Sequence, residues 1–357
     1  MSKQELHVLR VDVHDGDFIA SEQYVRHLET LGENDFNVLP LIRTVQTSKV
    51  TFRNAGSLFR LVESGSLDAL CIFIPGYPNL FQAFPHRNPI KNLVGVPTFV
   101  EYFSRYYLLY QLAKKSKAPV LLFDRLDASV IDKRWHRFLP LCRTYYKREL
   151  PKCPANAFLY SERVAAEPWC NADRYGSFIP KLRPFTDGVS DQLVSVPLVP
   201  CQKDIDIFWA GNITISPVRE SGLKLLRKLA DKGYKVEICE TKVSKEKFYE
   251  LIQRSYLVWS PEGTGWQCWK HYEACAMESV PVISYPTIWQ DMPLTDGVHC
   301  FYYDPENEGL IDVVEKALRD KKRLIEMGKS SRPFILRNHT QLAGYLRGVF
   351  ASVASPA

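Results

Sequence analysis

Lys270 and Glu273 stand one helical turn apart in the stretch SPEGTGWQCWKHYEACAMESVPVIS, Ser260 to Ser284, just after the turn Glu262, Gly263, Thr264, Gly265 and Trp266. A helix begun behind that turn carries the cation and the carboxylate on one face. An ammonium meets phosphate, and a carboxylate can accept two hydrogen bonds from a vicinal diol, which suits a ribose. Glycines let the backbone approach a ligand closely, and the N–H groups of a helix start favour an anion such as a diphosphate. The same spacing also fits a solvated surface pair worth about 0.2–0.5 kcal/mol, with Glu262 only favouring the helix start. The glycine pair lacks the third glycine of a dinucleotide fingerprint, since Cys268 stands there. That speaks against NAD.

Such a turn needs a strand before it and a helix after it. Tyr256 to Trp259 is β-branched and aromatic enough for the strand, which Pro261 ends, and the helix is expected from about Gln267. Its apolar face is expected to hold Trp269, Tyr272, Cys275 and Ala276, with Lys270, Glu273 and Met277 on a neighbouring face. Strand and helix patterns take turns on both sides of this unit. In the first half they read LHVLRVDV, SEQYVRHLETLG, LDALCIFIPGY, VEYFSRYYLLYQLAKKS and APVLLFD; in the second they begin at IDIFWAGN and run to NEGLIDVVEKALRD. Alternation of this kind predicts parallel sheets flanked by helices. The segment RPFTDGVSDQLVSVPLVPCQKD has prolines and no helical period, so it reads as a linker. The expected division is 1–190, 204–336 and a C-terminal helix in 337–357, apolar around much of its circumference and expected to cross back onto the first domain. Two such domains place a ligand at the carboxyl ends of their sheets, facing a central cleft.

A length of 357 residues with 46% hydrophobic content suits two buried cores. No run of about 18 apolar residues and no signal-peptide pattern occurs, so no transmembrane segment and a cytoplasmic location are expected. Nine cysteines without a C-x-x-C pair argue against a disulfide framework and a zinc site, and buried free thiols are expected. A formal charge of +6 permits an anionic ligand without demanding one.

Other positions support a phosphate site. The strand IDIFWAG ends in Gly211 and Asn212, and Arg219 follows at a helix start, where it meets either a phosphate or only the solvated loop. Glu240 and Thr241 close the strand YKVEICE, where backbone groups could recognise a base. In the first half, His14, Asp15 and Asp17 follow a strand and offer a general base for an acceptor hydroxyl, although Asp and Gly also serve as turn residues. The loop Ile74 to Pro89 is rich in proline and aromatics and could shape an acceptor pocket. The run FDRLDAS invites comparison with a D-x-D metal site, which the paired βα halves speak against, and RTYYKREL reads as a strand with a solvated face or as acceptor surface.

The stretch SPEGTGWQCWKHYEACAMESVPVIS resembles the nucleotide-binding signature of GT-B glycosyltransferases, most closely the exostosin-like group. The resemblance extends over DIDIFWAGN with its downstream arginine and DGVHCFYYDPENEGLIDVVEKALRD, roughly Asp204 to Asp320. It implies two Rossmann-like domains, Glu273 as the ribose-binding carboxylate, and Lys270 as the cation that faces the diphosphate and the departing charge. Gly263 to Gly265 would supply backbone N–H groups, with Glu262 and Trp266 flanking them. Lys270 replaces the arginine usual in that motif, a point charge in place of a bidentate fork. Glu262 and Glu273, with ten residues between them, depart from the glutamate spacing of the retaining families, so no stereochemical outcome follows.

The expected function is metal-independent transfer of a hexosyl or pentosyl group from a nucleotide diphosphate sugar, with no further cofactor, to a hydroxyl of a saccharide or glycan acceptor. A nucleic-acid acceptor carrying a modified base, a sugar-nucleotide epimerase and a non-catalytic nucleotide- or glycan-binding module are the competing readings. No nucleic-acid-binding motif is recognisable, so the saccharide is favoured over the nucleic acid.

Overall fold

The computed structural model describes residues 6–12, 42–49, 52–74, 96–158, 175–186, 188–190, 193, 196–306 and 308–354. They form two compact units. The first contains the described residues up to Phe185 together with 346–354, the second those from Thr186 to Tyr345.

The first unit is a parallel sheet of β1 (Leu6–Asp12), β2 (Ile42–Lys49), β3 (Ala69–Ile74), β4 (Val120–Asp124), β5 (Cys142–Lys147) and β6 (Leu182–Pro184). Their order is β2-β1-β3-β4-β5-β6. The central strands ALCIFI and VLLFD are buried at every residue, as strands covered on both faces must be. Helices α1 (Phe52–Ser64) and α2 (Val96–Lys115) supply Leu58, Val62, Leu109 and Leu112 to a core shared with Ile72, Leu122 and Phe138. Gly65 follows α1 with φ of 77°, the left-handed residue that closes a helix. The last turns of the C-terminal helix also belong to this unit. Tyr146 donates its hydroxyl hydrogen to the carbonyl of Gly348 at 2.6 Å and lies 2.8 Å from the Ser352 hydroxyl.

The second unit is a parallel sheet of β7 (Ile205–Ala210), β8 (Val236–Cys239), β9 (Ser255–Trp259), β10 (Val280–Ser284) and β11 (Phe301–Tyr303), ordered β11-β10-β9-β7-β8. Helices α3 (Pro217–Asp231), α4 (Lys245–Arg254), α5 (Trp269–Ala276), α6 (Gly309–Leu318), α7 (Lys321–Asn338) and α8 (Gln341–Ala354) follow the strands or close the chain. Ser216 caps α3 by accepting from the Val218 amide, and Pro217 stands at the first helical position, where its missing N–H costs nothing. Gly222 lets α3 lie directly on Trp259, since a Cβ there would come within 2.1 Å of the indole. Trp209, Trp259, Leu226 and Val282 share the core.

Both sheets are doubly wound, as expected from the alternation and from the GT-B resemblance. In the second, the chain leaves β7 toward β8 on one side and later returns to β9 on the other. The carboxyl ends of β7 and β9 therefore flank the point where strand order reverses, where α/β sheets open a crevice for ligands.

Candidate functional site

Two loops leave that point. β7 ends at Ala210 and passes through Gly211 and Asn212 to α3; β9 ends at Trp259 and passes through Ser260 to Cys268 to α5. Each loop is followed by a helix that returns a cation to it. Arg219, in the first turn of α3, donates from Nε to the carbonyl of Glu262 at 2.9 Å and from Nη1 to that of Asn212 at 3.0 Å. Lys270, the second residue of α5, donates to the carbonyl of Ala210 and lies 5.5 Å from the centre of the Trp209 ring.

A methyl group on Gly211 would lie 3.3 Å from Lys270 Nζ and 3.7 Å from Arg219 Nη1, so the two cations reach the same point. A methyl on Gly263 would lie 3.0 Å from Arg219 Nη2. Neither glycine has a positive φ. They are needed for the space they leave, not for their backbone freedom.

Lys270 is 8% exposed and Arg219 6%. Among the described residues neither forms an ion pair, and their hydrogen-bond acceptors are backbone carbonyls alone. Removing a charge from water is costly unless an opposite charge replaces the solvent. Burial, with the nearby Arg219 adding to it, holds the Lys270 ammonium below its ordinary pKa. Two desolvated cations meeting over a glycine, at the switch point of a parallel sheet, make a site for an anion with at least two oxygens.

The loop between them is rigidly held. His271, fully buried, lies 2.7 Å from the Ser260 hydroxyl through Nδ1 and 2.8 Å from the Trp266 carbonyl through Nε2, tying both ends of the turn to α5. Trp266 donates its indole N–H to the Ser284 carbonyl at 3.1 Å, and the Ser284 hydroxyl donates to Glu262 Oε2 at 3.0 Å. Trp266 and the Glu262 side chain are therefore occupied in shaping the loop. The Gly263 amide donates to the Gly265 carbonyl at 2.9 Å, which removes one of the three expected N–H donors. Among the described residues the amides of Thr264 and Gly265 meet no acceptor.

The helix begins at Trp269, two residues later than expected, with Cys268 as its cap. Trp269, expected on the apolar face, is 50% exposed. Lys270 takes the buried direction instead, with its stem along Trp209. That burial excludes the solvated Lys270 and Glu273 pair. Glu273 is partly buried and accepts from the Tyr249 hydroxyl at 3.3 Å; burial raises its carboxyl above the ordinary range.

The remaining expectations divide. Asn212 caps a short helical turn, its side chain accepting from Thr214 N at 3.0 Å while its carbonyl serves Arg219. Glu240 is exposed and paired with Arg227 at 2.6 Å, and Thr241 is exposed at the same strand end. His14, Asp15 and Asp17, and the loop from 75 to 89, lie outside the described residues. In FDRLDAS, Asp124 is fully buried and accepts from Tyr145 at 2.8 Å and from the Leu126 amide at 3.0 Å, with Lys147 at 3.0 Å. Of RTYYKREL, Arg143 to Lys147 belong to β5, whose last three residues are buried, so it is not a strand with a solvated face. The eight described cysteines are free thiols, of which Cys153 and Cys201 are exposed where burial was expected. Among the described residues no three His, Cys, Asp or Glu side chains gather to hold a metal ion, and no helix is long and apolar enough to cross a membrane.

Tyr249, Ser260, His271 and Ser284 carry site functions that the sequence did not single out. A tyrosine on the apolar face of α4 was the one available signal, because a buried phenol needs a partner.

Comparison with known proteins falls on this site. Solved structures similar in fold include a glycosyltransferase from Rickettsia africae (10% identity, TM-score 0.46, 100% of each chain covered) and Anabaena Alr3699/HepE in complex with UDP (9%, 0.48, 97% of this chain and 100% of that one). A third is a DNA-modifying β-glucosyltransferase studied with uridine diphosphoglucose (11%, 0.46, 99% and 100%). At these scores the chemistry rests on this chain's own residues. None of the curated proteins compared with the chain matches it. Residues 224–289, which contain the loop, Lys270 and Glu273, match the RXYLT1 C-terminal domain, so over this stretch the chain is similar to exostosin-like glycosyltransferases, as the sequence resemblance implies.

Proposed function

We propose that the chain transfers a glycosyl group from a nucleoside diphosphate sugar to an acceptor hydroxyl, with the donor held by the second unit. Lys270 and Arg219 take the diphosphate over Gly211, the amides of Thr264 and Gly265 supplement them, and Glu273 accepts from the ribose diol. As the glycosidic bond breaks, negative charge gathers on the departing diphosphate. Two fixed cations in a desolvated pocket stabilise that charge without reorganising, the function a metal ion serves elsewhere. We take the transfer to be metal-independent on this ground. The acceptor is a saccharide or glycan bound by the first unit, with the cluster His14, Asp15 and Asp17 supplying the general base.

The observation that carries the reading is a single one: two buried cations, served only by carbonyls, converge on one glycine at the switch point. A thermal-shift panel of nucleoside diphosphates and their sugars tests it. A cognate donor at one hundred times its dissociation constant stabilises the fold by about 2.7 kcal/mol. An unchanged melting temperature with every member of the panel refutes the reading.

A further inference from the structure

Behind Glu273 stands α4. Tyr249 projects from it with 7% of its surface exposed and donates its hydroxyl hydrogen to Glu273 Oε1 at 3.3 Å. Its ring packs beside Phe248 at 5.7 Å, and the Lys245 ammonium, one turn earlier, lies 5.7 Å from the ring centre. α4 and α5 belong to different βα units, so the pairing fixes the acid from outside its own helix.

A carboxylate has two oxygens and about four lone-pair sites. A hydroxyl on Oε1 takes one of them and stops rotation of the group, leaving Oε2 and the rest of Oε1 for another donor pair. A vicinal diol presents such a pair. The hydroxyl also favours the ionised acid, opposing the burial that disfavours it. The titratable and charged groups that act on Glu273 are Lys270 on its own helix and Tyr249 and Lys245 on α4.

We propose that Tyr249 is a positioning residue for the donor, holding the Glu273 carboxylate by one oxygen in the orientation that receives the ribose diol. The assignment rests on the donor site described above. It makes α4, which has no cation on the diphosphate, part of the nucleotide site. The phenol hydroxyl, and not the ring, is the acting group, so phenylalanine separates positioning from packing.

Binding of uridine diphosphate and, in parallel, guanosine diphosphate to the whole chain is measured by calorimetry across pH for wild type, Tyr249→Phe, Glu273→Gln and the double variant. Tyr249→Phe is expected to weaken binding about tenfold, the size of one hydrogen bond to a charged group, with the melting temperature unchanged. The acidic loss of affinity is expected to move to higher pH, because the acid has lost a donor that favours its charged form. In the Glu273→Gln background the tyrosine substitution should cost nothing more. Unchanged affinity and pH profile in Tyr249→Phe, with Glu273→Gln still weakened, overturns the positioning role and leaves the donor site standing. A lowered melting temperature with an unmoved acidic limb marks packing and also overturns it. Full binding by Glu273→Gln, or none by wild type, overturns the donor site and this assignment with it.

Discussion

Each unit buries a lysine at the carboxyl side of its sheet, and the two lysines are treated differently. In the first, Lys147 ends β5 with no exposed surface and lies 3.0 Å from Asp124, whose oxygens also receive Tyr145 and a backbone amide. The charge is balanced within the fold. In the second, Lys270 is nearly as deep, yet it meets a carbonyl, an aromatic ring and a second cation, Arg219. The two sheets share the same reversed strand order, so architecture does not explain the contrast. A buried cation with its own carboxylate is a strut. One left with carbonyls, another cation and only the more distant Glu273 is, on the proposed function, balanced by a bound anion.

Three measurements break or sharpen this contrast. The largest effect is expected at the balanced lysine. Asp124→Ala leaves Lys147 buried and unpaired and should destabilise the protein by about 3–5 kcal/mol in denaturant unfolding, while Asp124→Leu with Lys147→Met recovers most of the loss. A mild single substitution, or a double variant as unstable as the single, removes the strut from the comparison.

At the unbalanced lysine stability and binding should part. Lys270→Met is expected to leave the melting temperature of the free protein unchanged or raised, and to weaken nucleoside diphosphate binding about a hundredfold, or about 2.7 kcal/mol. Loss of stability without loss of affinity would place Lys270 among the struts.

The smallest effect lies in pH. The lowered pKa of Lys270 means that its ammonium discharges below the usual lysine range, so diphosphate affinity should fall as pH rises through that value. The raised pKa of Glu273 means that its carboxylate is lost above the usual range, so affinity should also fall as pH drops. Calorimetry across pH should give a band of tight binding narrower than ordinary lysine and glutamate values would set, with proton uptake on its alkaline side. A flat profile contradicts both directions.

Much of this could be read before the fold was known, for a physical reason in each case. β7 and β9 to β11 are apolar runs between helical patterns, and each of the two stretches, Gly211 with Arg219 and the turn before Lys270 and Glu273, is local in sequence. What escaped depends on partners distant in the chain or on weak patterns. β2, IRTVQTSK, is an edge strand rich in polar residue types, defined by pairing with β1 across a bulge. α7 carries Pro333 inside it, which breaks the pattern a helix is recognised by. The union of Tyr249 with Glu273 needs two helices of different βα units in register, which no short stretch encodes. The depth of Lys270 was equally hidden, since its neighbour Trp269 looked the better candidate for the interior.

The bare flank of α3 at Gly222 has a consequence for the anion site. Arg219 precedes it by one turn, so the clearance between this helix and the indole of Trp259 sets how far the guanidinium extends over the turn. A side chain at position 222 would act as a wedge under the helix and displace the fork from the place where it is proposed to meet a phosphate. Affinity would then be lost at a residue that no ligand touches.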